Sequence, residues 1–259
     1  MDYGGSMRGI HKPGCCFPTG EHYPGLANRI AEGVQRVEGL CDDFEAGANW
    51  ADIPMVIVDF ETTGRDAKVD KIIEVGLVHF DQGQVTQRHS FLIQPGMPVP
   101  PDSTAVHGIT DEDLAGKPSF AELFPSFLPL LANRVPVAYN ASFDRGFLVE
   151  EFSRASSSLS LTDELPPALR PGVRWVDPLV WARELLTELK SRRLGSVCEH
   201  LEIDIGQAHR AADDAAATGK VLSALAPKMP STYGELVRIQ DRYSARQEAE
   251  FASWRKRRG

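Results

Sequence analysis

The chain has few cysteines, no long apolar run and no excess of positive charge. Its 259 residues include four cysteines, Cys15, Cys16, Cys41 and Cys198. These are too few and scattered for a disulfide framework and suit a reducing compartment. Cys15 and Cys16 stand near His11 and His22, but adjacent cysteines lack the C-x(2–4)-C spacing of a zinc cluster. No apolar run approaches the ~20 residues needed to cross a bilayer. Met1 to Gly20 has no apolar h-region, so it does not read as a secretory signal. A cytoplasmic protein is expected. The net charge of -8 argues against holding nucleic acid by bulk electrostatics. Internal repeats are absent.

What remains is ordinary globular composition, 42% hydrophobic and 25% charged, in a chain long enough for one well-filled domain with appendages. Three parts are expected: an N-terminal extension over 1–52, a main domain over 53–228 and a tail over 229–259. The charge is uneven across them. The main domain carries 17 basic and 24 acidic side chains, the tail seven and four. A metal site built from carboxylates would neutralise part of the central excess.

Ile30, Val34, Val37, Leu40 and Cys41 have helical spacing, which predicts a short helix over 28–44. Val56 to Phe60, Ile72 to Phe80 and Val85 to Gln94 read as strands, the last two joined by the Asp81–Gln84 turn. Together they predict an antiparallel meander. Ser103 and Thr110 are candidate N-caps, and Ser119 with Glu122 forms a capping box for a longer helix. Pro125 and Pro129 are expected to kink or shorten that helix. A short strand over 135–139 stops at Asn140, and a helix follows from Phe143 to Ala155. Ser153 to Gly172 is the longest expected loop. Trp175 to Asp177 reads as a brief strand, with Asp177 capping a helix that opens at Pro178 and runs to about Arg193. Helices are also expected over 196–201, from His209 to about Ala226, and through the tail from Ser231. Three leading strands followed by alternating helices and strands indicate an α/β fold: a mixed central β-sheet, meander plus parallel strands, flanked by helices.

One stretch organises the rest: Val56-Ile-Val-Asp59-Phe-Glu61-Thr62-Thr63-Gly64. Residues two apart on a strand share a face, so Asp59 and Glu61 would project together. Two such charges at the end of a buried strand are costly without a cation between them. A hard divalent ion takes carboxylate oxygens; a pair of solvated strand-end acids is the plainer alternative. Asp144 opens a helix after a strand, at the sheet edge where α/β proteins bind ligands. His209 and Asp214 lie five apart at the start of the last domain helix, spaced so that one overhangs the site and the other enters it.

Asp59-Phe-Glu61-Thr-Thr-Gly, Asn140-x-x-Phe-Asp144 and His209-x-Ala-x-x-Asp214 resemble the three motifs of the DEDDh 3′→5′ exonucleases, the DnaQ-like relatives of the proofreading epsilon subunit of bacterial DNA polymerase III. The resemblance covers residues 55–226. Val106-His107-Gly-Ile-Thr110 and Leu194 to Leu201 also recur in similar form in that family. The resemblance implies a ribonuclease H-like exonuclease fold and two divalent cations, Mg²⁺ or Mn²⁺. Asp59 would bridge them, Glu61 and Asp214 would complete one, and Asp144 would hold the other more loosely. His209 would be the general base, which separates this branch from its tyrosine-bearing relatives. Thr62, Thr63 and Gly64 would meet the terminal nucleotide; His107 would lie near its sugar or be a surface histidine capping a turn. Asn140 would bind sugar or phosphate, or tie its loop together; Phe143 would stack on a base or fill the core. Arg145 and Arg210 flank the acids as candidate phosphate contacts. Asp213 is turned away by a ~100° helical step.

The resemblance therefore implies a metal-dependent 3′→5′ exonuclease acting on single-stranded DNA 3′ ends. An RNA-trimming exoribonuclease is the nearest alternative, and an inactive nucleic-acid or partner-binding module is the alternative of another class. The tail, ending Trp254-Arg-Lys-Arg-Arg258, suggests a helix for a DNA polymerase or another replication or repair partner, a nucleic-acid contact, or a solvated helix.

Overall fold

The computed structural model describes residues 38–156 and 165–258. Strand β1 spans Met55–Thr62, β2 Ile72–Asp81 and β3 Gln84–Leu92. Helix α1 covers Pro101–His107, α2 Asp111–Leu114 and α3 Phe120–Leu131. Strand β4, Val135–Val137, leads into α4, Ala141–Ala155. Then come α5 over Pro178–Leu185, α6 over Leu194–His200, α7 over Ala211–Leu225 and α8 over Tyr233–Arg258. The sheet order is β3-β2-β1-β4. β1, β2 and β3 form the antiparallel meander, and β4 runs parallel to β1. The expected mixed sheet flanked by helices is what forms.

Alternation along β1 sets the two layers. Met55 and Ile57 face a core with Trp181, Val221, Leu222 and Leu225. Val56, Val58 and Phe60 face the opposite core, where α3 supplies Phe120, Phe124 and Phe127 and α4 supplies Phe147 and Leu148. Small residues let α7 lie close on the sheet. A Cβ on Gly219 would collide with Ile57 and Phe80, and one on Gly76 would collide with the backbone at Ala211.

Several local expectations hold. Ser119 and Glu122 form the capping box of α3, Thr110 caps α2, and Asp177 caps α5 through the Leu179 N–H with Pro178 at its first turn. Others are corrected. Ser103 caps nothing; it lies inside α1, and its hydroxyl donates to the Thr63 carbonyl at 2.7 Å. Pro125 and Pro129 sit within a continuous α3, both exposed while Phe120, Phe124 and Phe127 are buried. Only an isolated bridge, Val137 to Val176, stands where the 175–177 strand was expected. Helix α5 ends at Leu185 rather than near Arg193, because Leu186 leaves helical geometry at ψ 56°. The predicted helix over 28–44 lies mostly outside the described residues, and 38–44 are turns. Among the described residues no helix is long and apolar enough to cross a membrane.

Candidate active site

The alternation that sends Met55 and Ile57 into the α7 layer carries on to Asp59 and Glu61. Both acids therefore point to the side where α7 begins. Asp59 is paired across the ladder with Gly76, and Glu61 with Glu74, just before a register shift at Thr62. Gly76 is also where the start of α7 touches the sheet. A side chain there would push the helix off the two acids.

Asp144 arrives from the other side. β4 ends at Val137, opposite Ile57, and further along β1 the Phe60 N–H donates to Asp144 Oδ1 at 3.2 Å. The carboxylate supplies an acceptor where the short strand no longer can. Asp144 is buried in the first turn of α4. That helix opens with Asn140 in the left-handed region at φ 71°, a conformation asparagine tolerates better than most residues. The Asn140 and Ala141 N–H groups both donate to the Asp177 carboxylate at 3.0 Å.

The third segment differs from its expected form. His209 is outside the helix, exposed and left-handed at φ 62°; α7 begins at Ala211. The backbone reversal brings the ring to the acids, and the His209 N–H donates to Asp214 Oδ2 at 3.2 Å. One ligand atom from each of Glu61, His209 and Asp214 lies within 4.8 Å of the other two. Asp59 and Asp144 stand beside this trio. Asp213 turns away and pairs with Arg88 at 3.0 Å.

The electrostatics are those of crowded acids. Burial pushes Asp59 well above the usual carboxylate range, and the charges of Asp144, Asp214 and Glu61 push the same way. Burial likewise raises Asp144, against the Phe60 N–H, and Asp214, against the His209 N–H. Glu61 is raised to about 7, by burial first and then by Asp214 and Glu74. Carboxylates that resist ionising together are waiting for positive charge. Four carboxylates, offering only oxygen donors, suit Mg²⁺ or Mn²⁺. Asp59, Glu61, Asp144 and Asp214 could hold such ions.

The expected substrate contacts fare unevenly. The Thr62 hydroxyl donates to the Gly64 carbonyl at 2.6 Å, and the Thr63 hydroxyl donates to Asp70 and accepts from the Lys71 N–H. Both hydroxyls thus brace the turn. Gly64 is needed for a different close approach, since a Cβ there would strike the Asp70 carboxylate. His107 is buried; its Nδ1 accepts from the Ile109 N–H at 3.1 Å, and burial lowers its pKa against a hydrogen bond with the Thr62 backbone. Phe143 is half-buried against Phe147, with ring centroids 4.8 Å apart. Arg145 lines a hollow beside Asn140.

Two residues escaped the motif reading. Glu74, 1% exposed, accepts from Arg210 at 2.9 Å and 3.2 Å, from the Ser90 hydroxyl at 2.7 Å and from the Ala211 N–H at 3.4 Å. It ties the start of α7 to β2, and it occupies Arg210, so that guanidinium is a brace rather than a free phosphate contact. A lone acid inside the apolar run Ile72 to Phe80 was the available signal, because a buried carboxylate requires a partner. Asp177 is the other: it caps α5 and also closes the start of α4.

A family model described as "Exonuclease", of the ribonuclease T type, matches residues 56–222. The chain belongs to this exonuclease family. Over 188 residues it is 36% identical to the DNA polymerase III PolC-type of Thermotoga maritima, covering 73% of this chain and 13% of that protein. The chain thus spans only about an eighth of that relative's length. It is 36% identical over 159 residues to the DNA polymerase III subunit epsilon of Treponema pallidum, covering 61% of this chain and 69% of that one. The fold is similar to that of Exonuclease X in complex with 5′ overhanging duplex DNA, with TM-score 0.56 and 23% identity over 72% of this exonuclease-family chain and 99% of the other. Helix α8 lies beyond the matched segment.

Proposed function

We propose that the chain is a metal-dependent 3′→5′ exonuclease that releases nucleoside 5′-monophosphates from single-stranded 3′ ends, with DNA preferred over RNA. The observation that carries this reading is the convergence of Asp59, Glu61, Asp144 and Asp214, from three distant segments, with His209 within 4.8 Å of two of them. Divalent cations bound there would stabilise charge on the attacked phosphate and the leaving 3′ oxygen and make water a better nucleophile. Asp59 and Glu61 hold their geometry because β1 is a paired strand, and Asp144 because Phe60 anchors it. His209, on the exposed rim, takes the proton from the attacking water. Glu74 and Arg210 are positioning residues that keep the His209 turn over the acids. His107 would lie near the terminal sugar. The epsilon-type relatives and the DNA-bound Exonuclease X favour DNA.

The test is shortening of a 5′-labelled oligonucleotide as single-stranded DNA, as RNA and as a mismatched duplex end, each with Mg²⁺, Mn²⁺ or chelator. Stepwise loss from the 3′ end, abolished by chelator, is expected. Full activity of Asp59→Ala or His209→Ala would end this reading. Faster RNA shortening would move the substrate to RNA. A calorimetric titration without a divalent site would leave a binding module instead.

A further inference from the structure

Helix α8 is anchored by its inner face. Tyr233, Leu236 and Val237 belong to the main core, and the buried Gln240 donates to the Trp175 carbonyl and accepts from the Asp177 N–H, each at 2.8 Å. About two helical turns on, the buried Gln247 donates to the Val180 carbonyl. Beyond these anchors the helix runs outward to Arg258 over the segment between α5 and α6. A groove of 1050 Å³ opens between them. Its lining includes Asn140, the residue that launches α4, together with Trp254 and Arg257 of α8. A second hollow, 520 Å³, shares Asn140, Arg183 and Phe251 with it.

The lining is unlike the rest of the molecule. Five cations face two carboxylates, in a chain whose net charge is -8. One of the two, Glu184, is already committed to Arg246 and Gln247. Lys190 and Arg193 are exposed, and no ion pair occupies either among the described residues. Phe251 and Trp254 are 50% and 48% exposed, one helical turn apart, and the Arg183 guanidinium sits 5.0 Å from the Phe251 ring centroid. Positive charge beside exposed aromatic faces is the arrangement that tracks a phosphate backbone and stacks its bases. Asn140 stands four residues, ~6 Å of helical rise, before Asp144.

We propose that this groove holds the single strand upstream of the 3′ end being cleaved, so that α8 is a substrate-holding element added to the family domain. The inference rests on the exonuclease reading for its direction along the strand. Gln247 to Arg257 spans about 15 Å, room for ~4 stacked nucleotides at ~3.4 Å each. Phosphates and base faces are common to DNA and RNA, so the groove takes either strand chemistry.

Binding and cleavage separate the two readings. Fluorescence anisotropy in chelator would measure the Kd of 5′-labelled dT15, dT3 and rU15 for the full chain, for Lys190→Ala/Arg193→Ala and for Phe251→Ala, with circular dichroism melts to establish folding. Wild type is expected to bind dT15 and rU15 at least tenfold more tightly than dT3. Each variant should lose about tenfold on the long strands and little on dT3. The double variant should also lower the salt dependence by ~0.7 per lost phosphate contact. With Mg²⁺, turnover of p-nitrophenyl thymidine 5′-phosphate, too short to reach the groove, should be unchanged in the variants. Unaltered dT15 binding by folded variants overturns the groove and gives this face to a protein partner, leaving the exonuclease reading intact. Groove-dependent binding without any metal-dependent cleavage would instead end the exonuclease reading and keep the groove.

Discussion

Asp144 and Asp214 enter the site from opposite sides, each near the start of a helix, and the two helices are held by opposite devices. Helix α4 begins on a left-handed asparagine whose neighbouring N–H groups end on Asp177, and its acid is sealed in by the Phe60 N–H. Helix α7 begins after a left-handed histidine, its acid is half-buried, and its start is tied down by Arg210 pairing with the buried Glu74. The first arrangement fixes a carboxylate before any cation arrives. The second holds an exposed ring where a water or phosphate can reach it. A site that binds charge and moves a proton needs both: a rigid wall of acids and a rim open to solvent.

The comparison can be broken hardest at the sealed side. Asp144→Ala or Asp59→Ala should remove cleavage by ~10³-fold or more, since ~4 kcal/mol of transition-state charge stabilisation depends on bound cations; single-turnover assays would read it. On the open rim, His209→Ala should cost ~10²-fold in the chemical step, while a calorimetric titration still finds the divalent ions. If His209→Ala abolished ion binding instead, the ring would belong with the wall.

Without metal, the acids oppose one another, and this fixes the sign of the pH dependence. Glu61 titrates at about 7 rather than 4.5 in the folded chain. Its contribution to stability is therefore intact below pH ~4.5 and is lost as pH rises through about 7. In chelator, Glu61→Gln should match wild type at pH 4 and exceed it by about 3 kcal/mol at pH 8, by urea unfolding. Saturating Mg²⁺ should stabilise wild type at pH 8 and narrow that gap.

Smaller effects sharpen the contrast. Arg210→Ala leaves Glu74 buried with one charged partner fewer. It should cost about 2 kcal/mol, below the 3–5 of wholly enclosed pairs because Arg210 reaches solvent, and ~10-fold in activity through the displaced His209 turn. Asp213→Asn, one residue from the acid of α7, removes only a surface pair with Arg88. It should change stability by less than about 0.5 kcal/mol and leave activity unchanged.

Much of the fold was legible because its signals are local. Period-two alternation put Asp59 and Glu61 on one face, the Asp81–Gln84 turn closed the meander, and Ser119 with Glu122 and Asp177 with Pro178 marked helix starts. Each needs only neighbours in sequence. Glu74 was not legible in the same way: in Ile72 to Phe80 it looks like one polar position in a strand, and its partners Ser90 and Arg210 lie 16 and 136 residues away. Nor could spacing reveal that His209 sits before its helix, since the left-handed turn is stabilised by contacts between α7 and β2. Helix α8 reads as a polar tail until Gln240 and Gln247 find the carbonyls of Trp175 and Val180. The sequence by itself determined which acids exist and which face β1 gives them. Tertiary structure alone decided that they meet, because bringing carboxylates from remote segments together is opposed by their own repulsion and holds only where backbone N–H groups and the Glu74–Arg210 pair fix the approach.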